Sequence, residues 1–479
     1  MSDSKACLYR LNMTSTEELA SRLWSLCHVL RDDGIVYHKY LSELTYLIFL
    51  KNVKQLGVEK DIPVGCRWDD LLAARGPGML GYYRKMLTRL GEDVEDANVR
   101  SIFSFPTTVF SHDENLEKVV AGIQAIDWHQ FDKDGLGGIY EHLLERNASE
   151  ARSGSGQYFT PRSLVNAMIM VLQPKAGEVI LDPAAGTGGF LIAAHRAATA
   201  RTARGRSYEG MEIERDTYRL CLMNFYLHGM QGTLIHGDAL TEDSAALQPA
   251  NVVLANPPFG VSAGGARKRR SDLPYPTANK QLAFLQCISL ALAPGGRAAV
   301  VVPDNVLFEP GVGRSIRRDL IEHFDVHTLL RLPVGIFYAA GVRTHVMFFN
   351  KRRNHSTPPA HIWIYDLRSG VPNFTKRKTI QDGEFEGFIH AFGKDPYGTS
   401  PRTETDRFKK IPVAEIRARD YDLDVRWDSD DAEETAPDLA DLLAQMDDSL
   451  CAARDALTDI SAVVGSVQSA KGSNLTADE

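Results

Sequence analysis

The sequence predicts an α/β chain: a doubly wound, mostly parallel sheet with helices on both faces, preceded by an α-helical domain and followed by a helical tail. Three observations carry this. From residue 179 onward, short apolar runs of β type alternate with segments of helical length, the pattern of successive β–α units stacking into a parallel sheet. Before residue 150, apolar residues recur at helical spacing and β-rich runs are scarce. Near the end, Leu439, Leu442, Leu443, Met446, Leu450 and Leu457 share one helical face behind the acidic run DSDDAEETAPD (428–438).

The elements follow in chain order. Leu19, Leu23, Leu26 and Leu30 mark a first helix and Leu41 to Leu50 a second, with Gly34 between them. Residues 69–150 continue as short helices broken at Gly-Pro-Gly (76–78) and Phe-Pro (105–106). The small, polar stretch SEARSGSGQ (149–157) is a linker or loop. Strands are then expected at VILDPA (179–184), YEGMEI (208–213), TLIHGD (233–238), NVVLANPP (251–258), RAAVVVPD (297–304), VHTLLRLP (326–333) and VMFFN (346–350). Helices are expected to about 200 and 228, from about 279 to 293, and near 313–323. Residues 352–410 are mixed and give no clear pattern, and SAKGSNLTADE at the end reads as disordered. The expected domains are 1–150 (helical), 151–425 (α/β) and 426–479 (linker, amphipathic helix and tail).

Composition bounds the function. With 479 residues, 44% of them hydrophobic, the chain is globular and long enough for two or three domains. No apolar run reaches the ~18–20 residues of a membrane span, and MSDSKACLYR lacks the apolar core of a signal peptide. Cysteines 7, 27, 66, 221, 287 and 451 show no CxxC pairing, which suits a reducing cytosol and gives no metal-binding spacing. A cytoplasmic protein without a metal is expected. The net charge of −8 does not by itself suggest a nucleic-acid binder, although Arg267-Lys268-Arg269-Arg270 is a local basic run.

The chemistry gathers at strand ends. In LDPAAGTGGF (181–190) a strand enters a glycine turn, and Gly186, Gly188 and Gly189 allow close backbone approach to a ligand. Dinucleotide sites use a related turn, but position 191 is Leu191, and Asp182 would repel a pyrophosphate. An acid there suits a ligand with a cationic end, such as S-adenosylmethionine. Glu212 ends the next strand, where a carboxylate can accept both ribose hydroxyls; helix-start placement is the plainer account, and Glu214 is its rival one step further in. Asp238 ends the third strand and can accept from an adenine amino group or cap a helix. Asn256-Pro257-Pro258-Phe259 ends the fourth. Alone it is a turn. In series with three fitting strand ends it is a rigid pair of acceptors, the Asn256 side-chain carbonyl and the Pro257 backbone carbonyl, with a ring beside them.

Residues 179–259 resemble an amino-group methyltransferase that uses S-adenosylmethionine, a Rossmann-like fold. The segment GQYFTPRSLVNAMI (156–169) is similar to the one packing over the methionine end in DNA adenine methyltransferases of this motif order. LWSLCHVLRDDGIVYHKYLSELTYLIFLK (23–51) and RLPVGIFYAAGVRTHVMFFN (331–350) resemble type I restriction–modification modification subunits. The likeness spans roughly residues 15–425. It implies methyl transfer to N6 of a flipped-out adenine in duplex DNA, with Asn256, Pro257, Pro258 and Phe259 as the catalytic motif. It assigns Gln157, Tyr158, Phe159, Thr160, Pro161, Arg162, Thr187, Gly188, Gly189 and Glu212 to the cofactor. Asp182, Gly186 and Asp238 join them from the reading of the residues and the general methyltransferase pattern. It also implies a separate specificity subunit bound by two modification subunits, with a restriction subunit as a further partner. The C-terminal helix is a candidate contact for the specificity subunit, or packs on its own chain. Two other readings stand beside this one: methylation of a protein glutamine or an rRNA base, which also uses an Asn-Pro-Pro-aromatic motif, and a catalytically silent DNA-clamping scaffold.

Overall fold

Buried carboxylates and capping side chains tie the N-terminal helices together before any sheet begins. The structure, a computed structural model, describes residues 19, 22–26, 37–104, 106–128, 160–198, 205–262, 269–337, 342–353, 359–371, 374 and 378–425. The linker at 149–157, including Gln157, and Tyr158, Phe159, the acidic run and the C-terminal helix lie outside these residues. Helices α1 (Tyr37–Gln55), α2 (Trp68–Ala73), α3 (Met79–Glu92), α4 (Ala97–Ile102) and α5 (Asp113–Gln124) bury one face each around Leu47, Trp68, Tyr83, Val99 and Val120. Asp96 caps α4 through the Val99 amide, worth about 1 kcal/mol. Asp113 accepts from the Gly78 and Leu80 amides at 2.8 and 2.6 Å, so one carboxylate serves the start of α3 from the start of α5.

The α/β part follows: α6 (Arg162–Leu172), β1 (Val179–Asp182), α7 (Gly189–Arg196), β2 (Ser207–Glu212), α8 (Arg215–Leu227), β3 (Thr233–His236), β4 (Ala250–Ala255), α9 (Lys280–Ala291), β5 (Leu292–Pro303), α10 (Asn305–Phe308), α11 (Val312–His323), β6 (Phe324–Arg331), β7 (Thr344–Lys351), β8 (His361–Asp366), α12 (Glu386–Phe392), β9 (Phe408–Pro412) and α13 (Val413–Ala418). The strands form one nine-stranded sheet in the order β3-β2-β1-β4-β5-β7-β6-β8-β9. β3, β2, β1, β4 and β5 run parallel; β1, β4 and β5 bury mostly apolar residues, as strands covered on both faces do, whereas β2 also buries Glu209 and Glu212 and the margin strand β3 buries none. β7 is antiparallel to both β5 and β6, because the connection from β6 is short and no helix is described in it to carry the chain back across the sheet. β8 and β9 extend the sheet within the stretch whose sequence gave no clear pattern.

α8 belongs to two cores. Leu220, Leu222, Met223 and Leu227 pack among the N-terminal helices, while Cys221 and Phe225 pack under the sheet. Tyr226 donates to the Val58 carbonyl at 2.9 Å, and its ring meets Phe49 edge-on. Consequently the described residues up to Asp424 group as one compact unit. Among the described residues no helix is long and apolar enough to cross a membrane.

Candidate active site

The strand order reverses between β1 and β4: from β1 the chain winds outward to β3, then returns to β4 on the other side. Ligands of open α/β sheets sit at such a switch point, beyond the carboxyl ends of the strands. Asp182, Glu212, Asp238 and Asn256 all end strands, or follow them directly, on that edge.

The glycine turn is stitched to the end of β2. The Ala185 amide donates to the Met211 carbonyl at 2.9 Å, and the Gly186 amide to Glu212 Oε2 at 2.9 Å. The Glu214 amide donates to Glu212 Oε1 at 2.8 Å. Glu212 is buried and fixed at both oxygens, whereas Glu214 is exposed at the N-cap of α8. The three glycines do different work. Gly186 and Gly188 hold φ of +56° and +87°, a region L side chains rarely adopt. A Cβ on Gly186 or Gly189 would meet open space, but one on Gly188 would sit 3.0 Å from Cys221 Sγ. Gly188 therefore serves the packing of α8 against the turn. Asn224 of α8 donates to the Thr187 carbonyl at 3.1 Å, a second tie between that helix and the turn.

Asp182 is buried, with Oδ1 accepting from the Ala184 amide at 3.0 Å. Burial pushes its carboxyl up to about 8, and the nearby Glu212 adds to the rise against the Ala184 hydrogen bond. Burial also raises Glu212. Two carboxylates that desolvation makes costly to ionise are relieved by a cation between them. Together with the open space above Gly186 and Gly189, this donor set fits a phosphate-free nucleoside with a cationic end. Asp238 is half-buried, and its Oδ1 accepts from the Leu240 amide at 2.9 Å. The following short helix is capped by Thr241, not Asp238. Ile213, 45% exposed beside Glu212, is an apolar strand-end residue that the sequence did not single out.

At the end of β4, Asn256 Nδ2 donates to Thr160 Oγ1 at 2.9 Å. That bond distinguishes the nitrogen end of the Asn256 amide from its carbonyl end. Pro161 follows as the N-cap of α6 and Arg162 opens the helix. Phe259 meets Phe337 edge to face, centroids 6.3 Å apart at 76°. Phe337, in the connection after β6, was not singled out; its only sequence signal is an aromatic beside Gly335. Of the basic run, Arg269 donates to the Thr277 carbonyl and to Ser262 Oγ, and Arg270 pairs with both oxygens of Asp272 at 2.6 Å. Those two guanidiniums are engaged within the protein; Arg267 and Lys268 lie outside the described residues.

The N-6 DNA methylase family model matches residues 131–436, most of the α/β region included. The chain belongs to the N-6 DNA methylase family. The methylase is 44% identical over 419 residues to the type I restriction enzyme EcoKI methylase subunit of Escherichia coli (strain K12), covering 81% of this chain and 79% of that protein. It is 43% identical over the same length to the StySPI methylase subunit of Salmonella potsdam, with the same coverage. A solved structure from work on complex assembly and conformational transition of a type I restriction–modification system aligns with TM-score 0.69 and 26% identity, over 94% of this chain and 98% of that one. The methylase is thus an adenine-specific DNA methyltransferase acting on N6, of the type I restriction–modification class. Methylation of a protein glutamine or rRNA base is set aside by these matches.

Proposed function

We propose that the methylase takes its methyl group from S-adenosylmethionine and delivers it to an adenine flipped out of duplex DNA into the crevice at the β1–β4 switch point. The observation that carries this is the hydrogen bond from Asn256 to Thr160, because it joins the residue meant for the target amine to the segment meant for the cofactor. Glu212 would hold the ribose, Asp238 and Ile213 the adenine end, and Asp182, the Gly186–Gly189 turn, Thr160, Pro161 and Arg162 the rest, with Gln157, Tyr158 and Phe159 just upstream. When bound, the cofactor supplies an electrophilic methyl on a sulfonium.

The chain's own residues prepare the nucleophile. The N6 lone pair of adenine is delocalised into the ring. Asn256 Oδ1 and the Pro257 carbonyl accept the two N6 hydrogens, draw the nitrogen towards a tetrahedral shape and free the lone pair. Pro257 and Pro258 fix the backbone carrying these acceptors, so little reorganisation remains for the transition state. Phe259, braced edge to face by the buried Phe337, can stack on the extruded base; leaving the duplex is required because N6 cannot reach a cofactor inside the stack.

A separate specificity subunit would read the sequence, two methylase chains would flank it, and a restriction subunit would join in turn, in the cytoplasm where the DNA lies. Residues 1–150, 151–425 and 426–479 are proposed as the helical, catalytic and partner-facing parts. The test combines the methylase, its specificity subunit, DNA and labelled cofactor. N6-methyladenine is expected. Asn256→Ala should lower methyl transfer about 100–1000-fold with cofactor affinity kept; label in protein, or lost cofactor binding in the variant, would refute the roles given.

A further inference from the structure

The geometry points to Arg368, just beyond β8, as the positioning residue that sets the seat of the target base. It rests on the reading of Phe259 and Phe337 as that seat. Arg368 lies far along the chain from both rings, yet its guanidinium reaches three elements at the catalytic edge. Nε donates to the Leu332 carbonyl at 3.1 Å, where the chain leaves β6 towards Phe337. Nη2 donates to the Thr344 carbonyl at 3.1 Å, where β7 begins. Nη1 and Nη2 grip Asp304 Oδ2 and Oδ1 at 3.2 and 3.1 Å, at the carboxyl end of β5. β5 is the neighbour of β4, which ends in the Asn256 turn.

Everything around this fork is arranged to hold it. The Arg368 side chain is 11% exposed. Asp366 Oδ1 accepts from the Arg368 amide at 3.2 Å, and the Leu367 amide donates to the Arg331 carbonyl at 3.1 Å, which fixes the backbone that launches the side chain. His345 Nδ1 lies 3.0 Å from Asp304 Oδ1 on the far side. Burial opposes charge on Asp304, but His345 and Arg368 outweigh it and hold its carboxyl well below the usual range. Beyond the stem, the Phe374 amide donates to the Val334 carbonyl at 3.1 Å. Gly335 has φ +83°, and a Cβ there would strike the Phe374 carbonyl oxygen at 1.9 Å. The stretch leading to Phe337 is thus pinned on both sides, and the planar fork of Arg368 ties it to the end of β5, alongside the Leu332 amide, which donates to the Thr344 carbonyl at 3.0 Å. Lysine, whose donors all sit on one nitrogen, cannot reproduce a planar fork that grips both Asp304 oxygens while reaching two carbonyls.

The test uses the full methylase with its specificity subunit and a duplex of mapped target, with 2-aminopurine replacing the target adenine for the flipping assay. Arg368→Lys should cut the single-turnover methyl-transfer rate about 10–100-fold and diminish the 2-aminopurine fluorescence rise, while the cofactor dissociation constant stays within about twofold of the parent, since ~0.4 kcal/mol is too little for a lost contact. Asp304→Asn, which keeps the shape and weakens one face of the fork, should shift both readouts the same way, and it decides by the same criteria if Arg368→Lys does not fold. An unchanged rate and fluorescence, or a parallel loss of cofactor affinity, would overturn the positioning role. Phe337→Ala separates the two layers. If it leaves flipping and transfer intact, the base seat itself is wrong; if it abolishes them while both fork variants are normal, only the role of Arg368 falls.

Discussion

Asp182 carries a proton in the folded chain that it lacks when unfolded. An aspartate in an unfolded chain titrates near ~3.9, whereas burial moves this one to about 8. Between those values the folded state binds the extra proton, so its contribution to stability is full at the acid end and declines as pH rises towards 8. Asp182→Asn should therefore flatten the fall of the thermal midpoint between about pH 5 and 8, leaving the smaller share that Glu212 contributes in the same direction. An unaltered slope would exclude Asp182 as the titrating group. A cation seated beside it draws the carboxyl back down. Cofactor binding near neutral pH should then release protons, measurable by calorimetry in buffers of different ionisation enthalpy, and less so in the asparagine variant.

Among the helices, Glu43 is the element-scale counterpart. It sits buried on α1, accepting from the Tyr83 hydroxyl of α3 at 2.7 Å and from the Val109 amide before α5 at 2.8 Å. Burial raises its carboxyl to about 7 against those hydrogen bonds. Glu43→Ala leaves the buried Tyr83 hydroxyl and the part-buried Val109 amide without an acceptor and should cost about 2–4 kcal/mol in denaturant unfolding; Glu43→Gln, which keeps one acceptor, should cost less. A loss below ~1 kcal/mol for the alanine variant would mean that water replaces the carboxylate. The elements also explain what the sequence could tell. β1, β4 and β5 were legible because buried parallel strands read as apolar runs, β2 and β3 because they bracket a segment of helical length, and all five because parallel strands deliver their terminal residues to one edge. β8 and β9 were not: HIWIYD is short, with His361 and Trp363 half-buried and a buried Asp366 at its end, and FKKIP exposes lysine and proline, as a sheet margin does. The direction of β7 was hidden because VMFFN has the same pattern either way. In the site, strand-end residues were visible, but the Thr160–Asn256 bond spans 96 positions and the Arg368–Asp304 pair 64, and no local pattern encodes such partners.

For the whole molecule, α8 decides whether the helical region and the sheet unfold together. Met223 is fully buried in the core shared with the N-terminal helices, so Met223→Ala should lower global stability by about 2–4 kcal/mol while calorimetry still records a single transition up to Asp424. Separate transitions for the helices and the sheet would contradict the shared core. The same helix holds the Thr187 carbonyl, so loosening it should also weaken cofactor binding.

The position of β7 has a consequence for biosynthesis. It is made after β6 but lodges between β5 and β6. The ribosome therefore delivers the catalytic turn, and the strand beside it, well before the strand that closes the sheet. A nascent chain halted between residues 303 and 344 carries the apolar run of β5 with one row of amides and carbonyls open, a template for pairing with another chain. Premature release in that window should yield aggregates, and translation through it is where a chaperone would be most needed.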